Sequence, residues 1–222
     1  MELVSTRPAR WNHNLHYHRV ILAAVPDGAR RSLDVGCGVG MLARDMRRVV
    51  AHVTGIDRDA ASIGVARRED GGAGVEYVVG DFMTEPGSFD HIASIAALHH
   101  MDAAAALQRM RELLAPGGTL AIVGLARPRY PADLPFAAAG AIGHRVLRLR
   151  RSYWEDSAPR LWPPPATFSE TRRETRRETR RVARRVLPGV RYRGCCCGVT
   201  RWCGGSRREF VSARHLGAAR RF

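Results

Sequence analysis

At 222 residues the chain has room for one α/β domain with some elaboration and not for two independent enzymes, because single domains usually run to roughly 100 to 200 residues. Apolar residues make up 45% and charged ones 26%, which excludes a disordered polymer. The net charge of +15 is carried by 36 basic side chains against 21 acidic ones, and all 36 are Arg. Such a surplus normally suggests nucleic acid or an anionic membrane, but its location matters more than its total, and here it is concentrated in two stretches. Residues 170–185 hold eight Arg and three Glu, and residues 194–222 hold six Arg and one Glu, so the remainder carries an ordinary excess. The missing Lys fits GC-rich coding, and nucleic acid is not the expected partner. The first 25 residues show no continuous apolar stretch of an export signal. The run Leu134 to Gly143 is half the ~20 residues that a bilayer-crossing helix needs. A cytoplasmic protein without a transmembrane segment is expected.

From Arg31 to Leu125, short β-branched runs alternate with longer helical ones, the pattern of a mostly parallel, doubly wound sheet built from right-handed βαβ units. Ser32 to Val35 is the first strand, followed by a glycine turn and a helix over Met41 to Val50. Val53 to Ile56 is the second strand and Ala60 to Arg68 the next helix. Val75 to Val79 and Phe89 to Ala97 are the third and fourth strands, and Ala103 to Leu114 is a helix. Pro116-Gly117-Gly118 stops that helix before a fifth strand over Thr119 to Gly124. Residues 126–165, rich in Pro, Arg and aromatic side chains, read as a substrate-covering insertion. Residues 167–187 read as an Arg-rich helix capped by Thr167 or Ser169. Its Glu-Thr-Arg-Arg motif repeats three times from Glu170, which reads as a solvated face lengthened by tandem duplication.

The chemistry is concentrated in Leu33-Asp34-Val35-Gly36-Cys37-Gly38-Val39-Gly40. Three glycines at the end of a strand let backbone approach a ligand closely, and the helix that follows turns its first amides toward the same place. The spacing is G-x-G-x-G; Met41 stands where a dinucleotide fingerprint needs its third glycine. Asp57 ends the second strand in Gly55-Ile56-Asp57-Arg58, and Gly80-Asp81-Phe82 ends the third. Leu98-His99-His100-Met101 follows the fourth strand, and Leu113-Leu114-Ala115-Pro116-Gly117-Gly118 precedes the fifth.

These five motifs, in this order, resemble the class I S-adenosylmethionine-dependent methyltransferases. The resemblance implies a Rossmann-like sheet with S-adenosylmethionine as cofactor. Gly36, Cys37, Gly38 and Gly40 would cradle the cofactor's methionine part beside Asp34, and Asp57, followed by Arg58, would hold the ribose hydroxyls. Asp81 would accept from the adenine amino group, with Phe82 against the ring and Ala97 lining the pocket. His99 or His100 is the nearest candidate for a general base, and pocket lining is the other role for both. No metal is expected: the three His of His13, His16 and His18 lack a carboxylate or Cys completing a site. The expected reaction is methyl transfer to a small-molecule acceptor. The alternatives are a nucleic-acid- or membrane-associated methyltransferase, or an inactive protein on the same fold.

The family's sheet ends with an antiparallel seventh strand, and here that strand is doubtful. Val190 to Arg193 can begin the sixth strand, but the Cys-rich run Cys195 to Gly205 reads as a poor hairpin. With permitted third bases, a one-base frame shift turns residues 194–205 into Leu-Leu-Leu-Trp-Arg-Tyr-Ser-Leu-Val-Trp-Arg, so residues 194–222 are read as a candidate out-of-frame tail. The domain proper is then 1–193, with its core at 32–125.

Overall fold

The structure is a computed structural model and describes residues 15–125, 138, 175–187, 189–194 and 199–205. Its strands are β1 (Arg31–Val35), β2 (His52–Asp57), β3 (Glu76–Val79), β4 (Phe89–Ile95), β5 (Leu114–Leu125), β6 (Arg191–Gly194) and β7 (Val199–Gly205). They form one sheet in the order β3-β2-β1-β4-β5-β7-β6. β1 to β5 pair in parallel, and β7 runs antiparallel to both of its neighbours. The order reverses at β1, which lies between β2 and β4, so a crevice opens beyond the carboxyl ends of these strands, where doubly wound sheets take their ligands.

Alternating side chains give each face of the sheet its own core. Leu33, Val35, Ile92, Leu120 and Ile122 pack with Leu107, Met110 and Leu113 of α4 (Ala103–Leu113) and with Ala183 of α5 (Arg176–Val186). Ala93, Ala121 and Val123 point the other way, with Ile21 of α1 (Leu15–Leu22), Met46 of α2 (Met41–Met46) and Ile63 of α3 (Ala60–Glu69). Asp59 caps α3 by accepting from the amides of Ala61 and Ser62, and Asp102 caps α4 through Ala105. At the amino edge of the sheet, Asp90 accepts from the amides of both Arg30 and Arg31, joining β4 to β1 at 2.8 and 3.0 Å. No helix among the described residues is long and apolar enough to cross a membrane.

Several sequence expectations are corrected. α2 ends at Met46 and not at Val50, because Arg48 and Val49 bond back three residues, to Asp45 and Met46, and tighten the chain into turns. β4 stops at Ile95, where Ala96 takes a left-handed φ of 55°. β5 starts at Leu114: pairing jumps from Phe89↔Leu114 to His91↔Thr119, so Pro116-Gly117-Gly118 is a bulge in the strand. A Cβ at Gly118 would lie 2.9 Å from the Ala115 carbonyl oxygen and 3.0 Å from that of Asp90. α5 begins at Arg176 with Thr175 as its cap, in a capping box with Glu178; Thr167 and Ser169 lie outside the described residues. The seventh strand, doubted on the sequence, is formed by Val199–Gly205 as those residues stand, paired with β5 from Leu125↔Val199 to Thr119↔Gly205.

Candidate cofactor site

The glycine turn after β1 is built by its neighbours. Gly36, Gly38 and Gly40 all have left-handed φ, of 71°, 52° and 74°. A Cβ at Gly36 would fall 2.3 Å from the Cβ of Ala97, and one at Gly40 would fall 2.5 Å from the Tyr77 hydroxyl, so both places are closed by protein. At Gly38 nothing lies within 4 Å of that position. Of the three, Gly38 is therefore the residue with open space beside its backbone, as a cradle for a ligand requires. Arg44 donates to the carbonyl of Val39 at 2.9 Å and holds the turn from α2.

Three carboxylates stand at the ends of β1, β2 and β3. Asp57 receives the Gly38 amide on Oδ2 at 2.8 Å and the Asp59 amide on Oδ1 at 2.9 Å, which ties the turn to the end of β2 and fixes the carboxylate plane. Asp81 accepts from the Met83 amide and pairs with Arg58, and these contacts hold its carboxyl below the usual range. Asp34 is buried under the turn. Loss of water and then the nearby Asp57 charge raise its pKa to about 7, against a hydrogen bond from the Ala43 amide, and its Oδ2 has no hydrogen-bond partner. An acidic pocket thus sits in a strongly basic chain.

The remaining predicted residues divide. His99 is buried with its ring centroid 4.0 Å from that of His100, which is exposed. Partial burial lowers the His100 pKa, against the pull of Asp57, so its imidazole is neutral at pH 7. Cys37 packs over Gly55, where an added Cβ would lie 3.1 Å from its Sγ; burial, then Asp34 and Asp57, push its thiol pKa upward, which makes it filler and not a nucleophile. Ala97 is spent on Gly36. Phe82, expected against a ligand ring, is instead 4% exposed within the α4-side core. The turn bonds Thr84→Asp81 and Glu85→Phe82 roll Phe82 inward and leave Met83 and Val79 as the exposed apolar side chains beside Asp81. No motif or spacing in the residues marks either of them.

Asp34 and His91 carry opposite pH dependences. His91 is fully buried, with Nδ1 2.9 Å from Ser32 Oγ, and burial lowers its pKa from 6.5 to about 4. Its contribution to stability is complete above pH 6.5 and is lost as pH falls toward 4. Asp34, raised from 3.8, contributes fully below pH 3.8, and this is lost as pH rises toward 7. One pK unit is about 1.4 kcal/mol, so the two offset each other between these limits. Urea melts of the cofactor-free chain should show Asp34→Asn losing about 3 kcal/mol between pH 6.5 and 4, with His91→Gln gaining stability over the same range.

A sheet whose order reverses at a G-x-G-x-G turn, with an acid on each of the next two strand ends, is a doubly wound α/β fold with its ligand crevice at that turn. A family model described as "Methyltransferase domain" matches residues 33–122. The chain is 39% identical over 170 residues to an uncharacterized methyltransferase of Mycobacterium tuberculosis (strain ATCC 25618 / H37Rv), covering 73% of this chain and 84% of that one. It is 40% identical over 118 residues to a ubiquinone biosynthesis O-methyltransferase of Xanthomonas euvesicatoria pv. vesicatoria (strain 85-10), covering 50% of this chain and 48% of that one. Among solved structures, magnesium protoporphyrin IX methyltransferase from Synechocystis PCC 6803 shares the fold at a TM-score of 0.56 and 16% identity, over 88% of this chain and 84% of the other. N-methyltransferase NodS from Bradyrhizobium japonicum WM9 does so at 0.56 and 15%, over 93% and 95%. The chain belongs to the class I S-adenosylmethionine-dependent methyltransferases.

Proposed function

We propose that this enzyme methylates a small-molecule acceptor, with the cofactor seated between Gly38 and the carboxylates of Asp34, Asp57 and Asp81. The observations that carry this reading are the open space at Gly38 and the Asp57 carboxylate that holds its amide at 2.8 Å, with the buried, unpartnered Oδ2 of Asp34 under the same Asp57 charge. S-adenosylmethionine, when bound, supplies an electrophilic methyl group on a cationic sulfonium. Asp57, already oriented by two backbone amides, keeps a lone pair on each oxygen for the ribose hydroxyls. Asp81 takes the adenine amino group, with Met83 and Val79 as the apolar surface at hand. Holding the acceptor in line and excluding water supply most of the acceleration. Where the acceptor must lose a proton, His100 is the group to take it, being exposed and neutral, with His99 backing its ring.

The test is transfer of labelled methyl into pooled metabolites, size-fractionated, with RNA and protein as separate acceptors. Label in the low-molecular-weight fraction supports the reading; label confined to RNA or protein sinks it. Asp34 adds a thermodynamic signature. A cation beside it favours the carboxylate, so cofactor binding below pH 7 should release a proton and affinity should rise with pH, by at most about tenfold per unit, to a plateau above 7. Calorimetry in buffers of different ionisation enthalpy reads the proton directly, and Asp34→Asn should remove the pH dependence.

A further inference from the structure

The helix α5 does not take part in the site, yet it carries the densest charge among the described residues. Thr175, Thr179, Ala183 and Leu187 recur every fourth residue and, from Thr179 on, are buried; Val182 and Val186 pack beside them on the core that includes α4. The four-residue repeat thus sets one seam inward and turns the Arg pairs outward. Arg177, Arg180, Arg181, Arg184 and Arg185 are all exposed and line one open groove of about 440 Å³. They extend for about 12 Å along the helix at 1.5 Å per residue. The single acid of the helix, Glu178, is engaged in the cap with Thr175. GC-rich coding explains Arg in place of Lys, but not the placement of five of them on one face.

We propose that this stripe docks the enzyme on an anionic membrane surface, through phospholipid headgroups. Clusters of four to eight basic residues on one helix face have this affinity. The buried seam leaves α5 without an apolar face for lipid, so adsorption is electrostatic and salt-sensitive, without insertion. The band is also laid flat on the core. No aromatic or amide side chain interrupts the arginines to stack on or read bases, which favours a planar anionic surface over nucleic acid.

The experiment is sedimentation of the full chain with vesicles of phosphatidylcholine alone or mixed with phosphatidylglycerol. The expected result is salt-reversible binding to the anionic vesicles only. Each basic side chain near such a surface is worth roughly fivefold in affinity, so combining Arg177→Gln, Arg181→Gln, Arg184→Gln and Arg185→Gln should weaken binding several hundredfold. Thermal melting and cofactor binding should be unchanged. Should that variant melt early, Arg181→Gln with Arg184→Gln alone should still lose about twentyfold. No binding to anionic vesicles, equal binding to neutral ones, or wild-type binding by the variants overturns the proposal. So does duplex RNA binding that the variants lose while vesicles go unbound, which would assign the stripe to nucleic acid.

Discussion

Gly38→Ala should leave a folded enzyme that binds its cofactor about ten- to a hundredfold more weakly, while Gly36→Ala should damage the fold itself. Both residues sit at positive φ, 52° and 71°, where an added Cβ costs roughly 1–2 kcal/mol. They differ in what the methyl would meet. At Gly38 it enters open space, so the protein loses only the backbone term, a fall in Tm of about 2–8 °C. The same methyl occupies room the ligand needs, at an overpacking cost of about 1–3 kcal/mol. At Gly36 it meets the Ala97 Cβ at 2.3 Å, and neither partner is a flexible side chain that can swing away. Strain and overpacking together come to roughly 2–5 kcal/mol, a large part of the ~5–15 kcal/mol that holds a domain folded. Thermal melts with cofactor titrations separate the two. A Gly38→Ala enzyme with wild-type affinity would remove the turn from the site.

Asp57→Ala should cost more in binding than any other single carboxylate. Its two oxygens hold the Gly38 and Asp59 amides and face the ligand with what remains, so its removal loosens the turn and withdraws both ribose acceptors. Hydrogen bonds to a charged group are worth about 1.5–3 kcal/mol each, so losing two should lower affinity by about a hundredfold to ten-thousandfold. Asp57→Asn keeps one acceptor oxygen and should recover about tenfold of that loss. Asp81→Ala should lose less, since Asp81 is partly exposed and its carboxylate is already shared with Arg58, itself a solvated partner. Calorimetry on the three variants gives the order directly; equal effects at Asp57 and Asp81 would contradict it.

The parts of the site that backbone geometry dictates were legible in the residues alone. Glycines at 36, 38 and 40 mark left-handed turn positions, and acids at 34, 57 and 81 lie at the ends of strands whose alternation with helices was plain. Side-chain direction just beyond a strand end was not legible. Phe82 and Met83 are neighbours of similar hydrophobicity, and the turn at Asp81 decides which is buried. His99 and His100 were likewise indistinguishable until the short helix Leu98–His100 turned one inward and the other out. β7 was doubted because the Cys-rich run from Cys195 reads as a poor hairpin and a candidate out-of-frame tail, yet Val199–Gly205 pairs with β5 over seven residues. The Arg repeat was read as a solvated face, and its register against α4 became visible only with Thr179 and Ala183 in place.

The proposed cofactor site is one crevice at the carboxyl ends of β1 to β4. Amide chemical-shift mapping of the full chain titrated with S-adenosylmethionine tests it most directly. The largest shifts should fall on Gly36 to Gly40, Asp57 to Asp59, Asp81 to Met83 and the His99–His100 turn, with α5 unmoved. Saturable binding whose shifts cluster elsewhere, or that leave Gly38 and Asp57 in place, would contradict it.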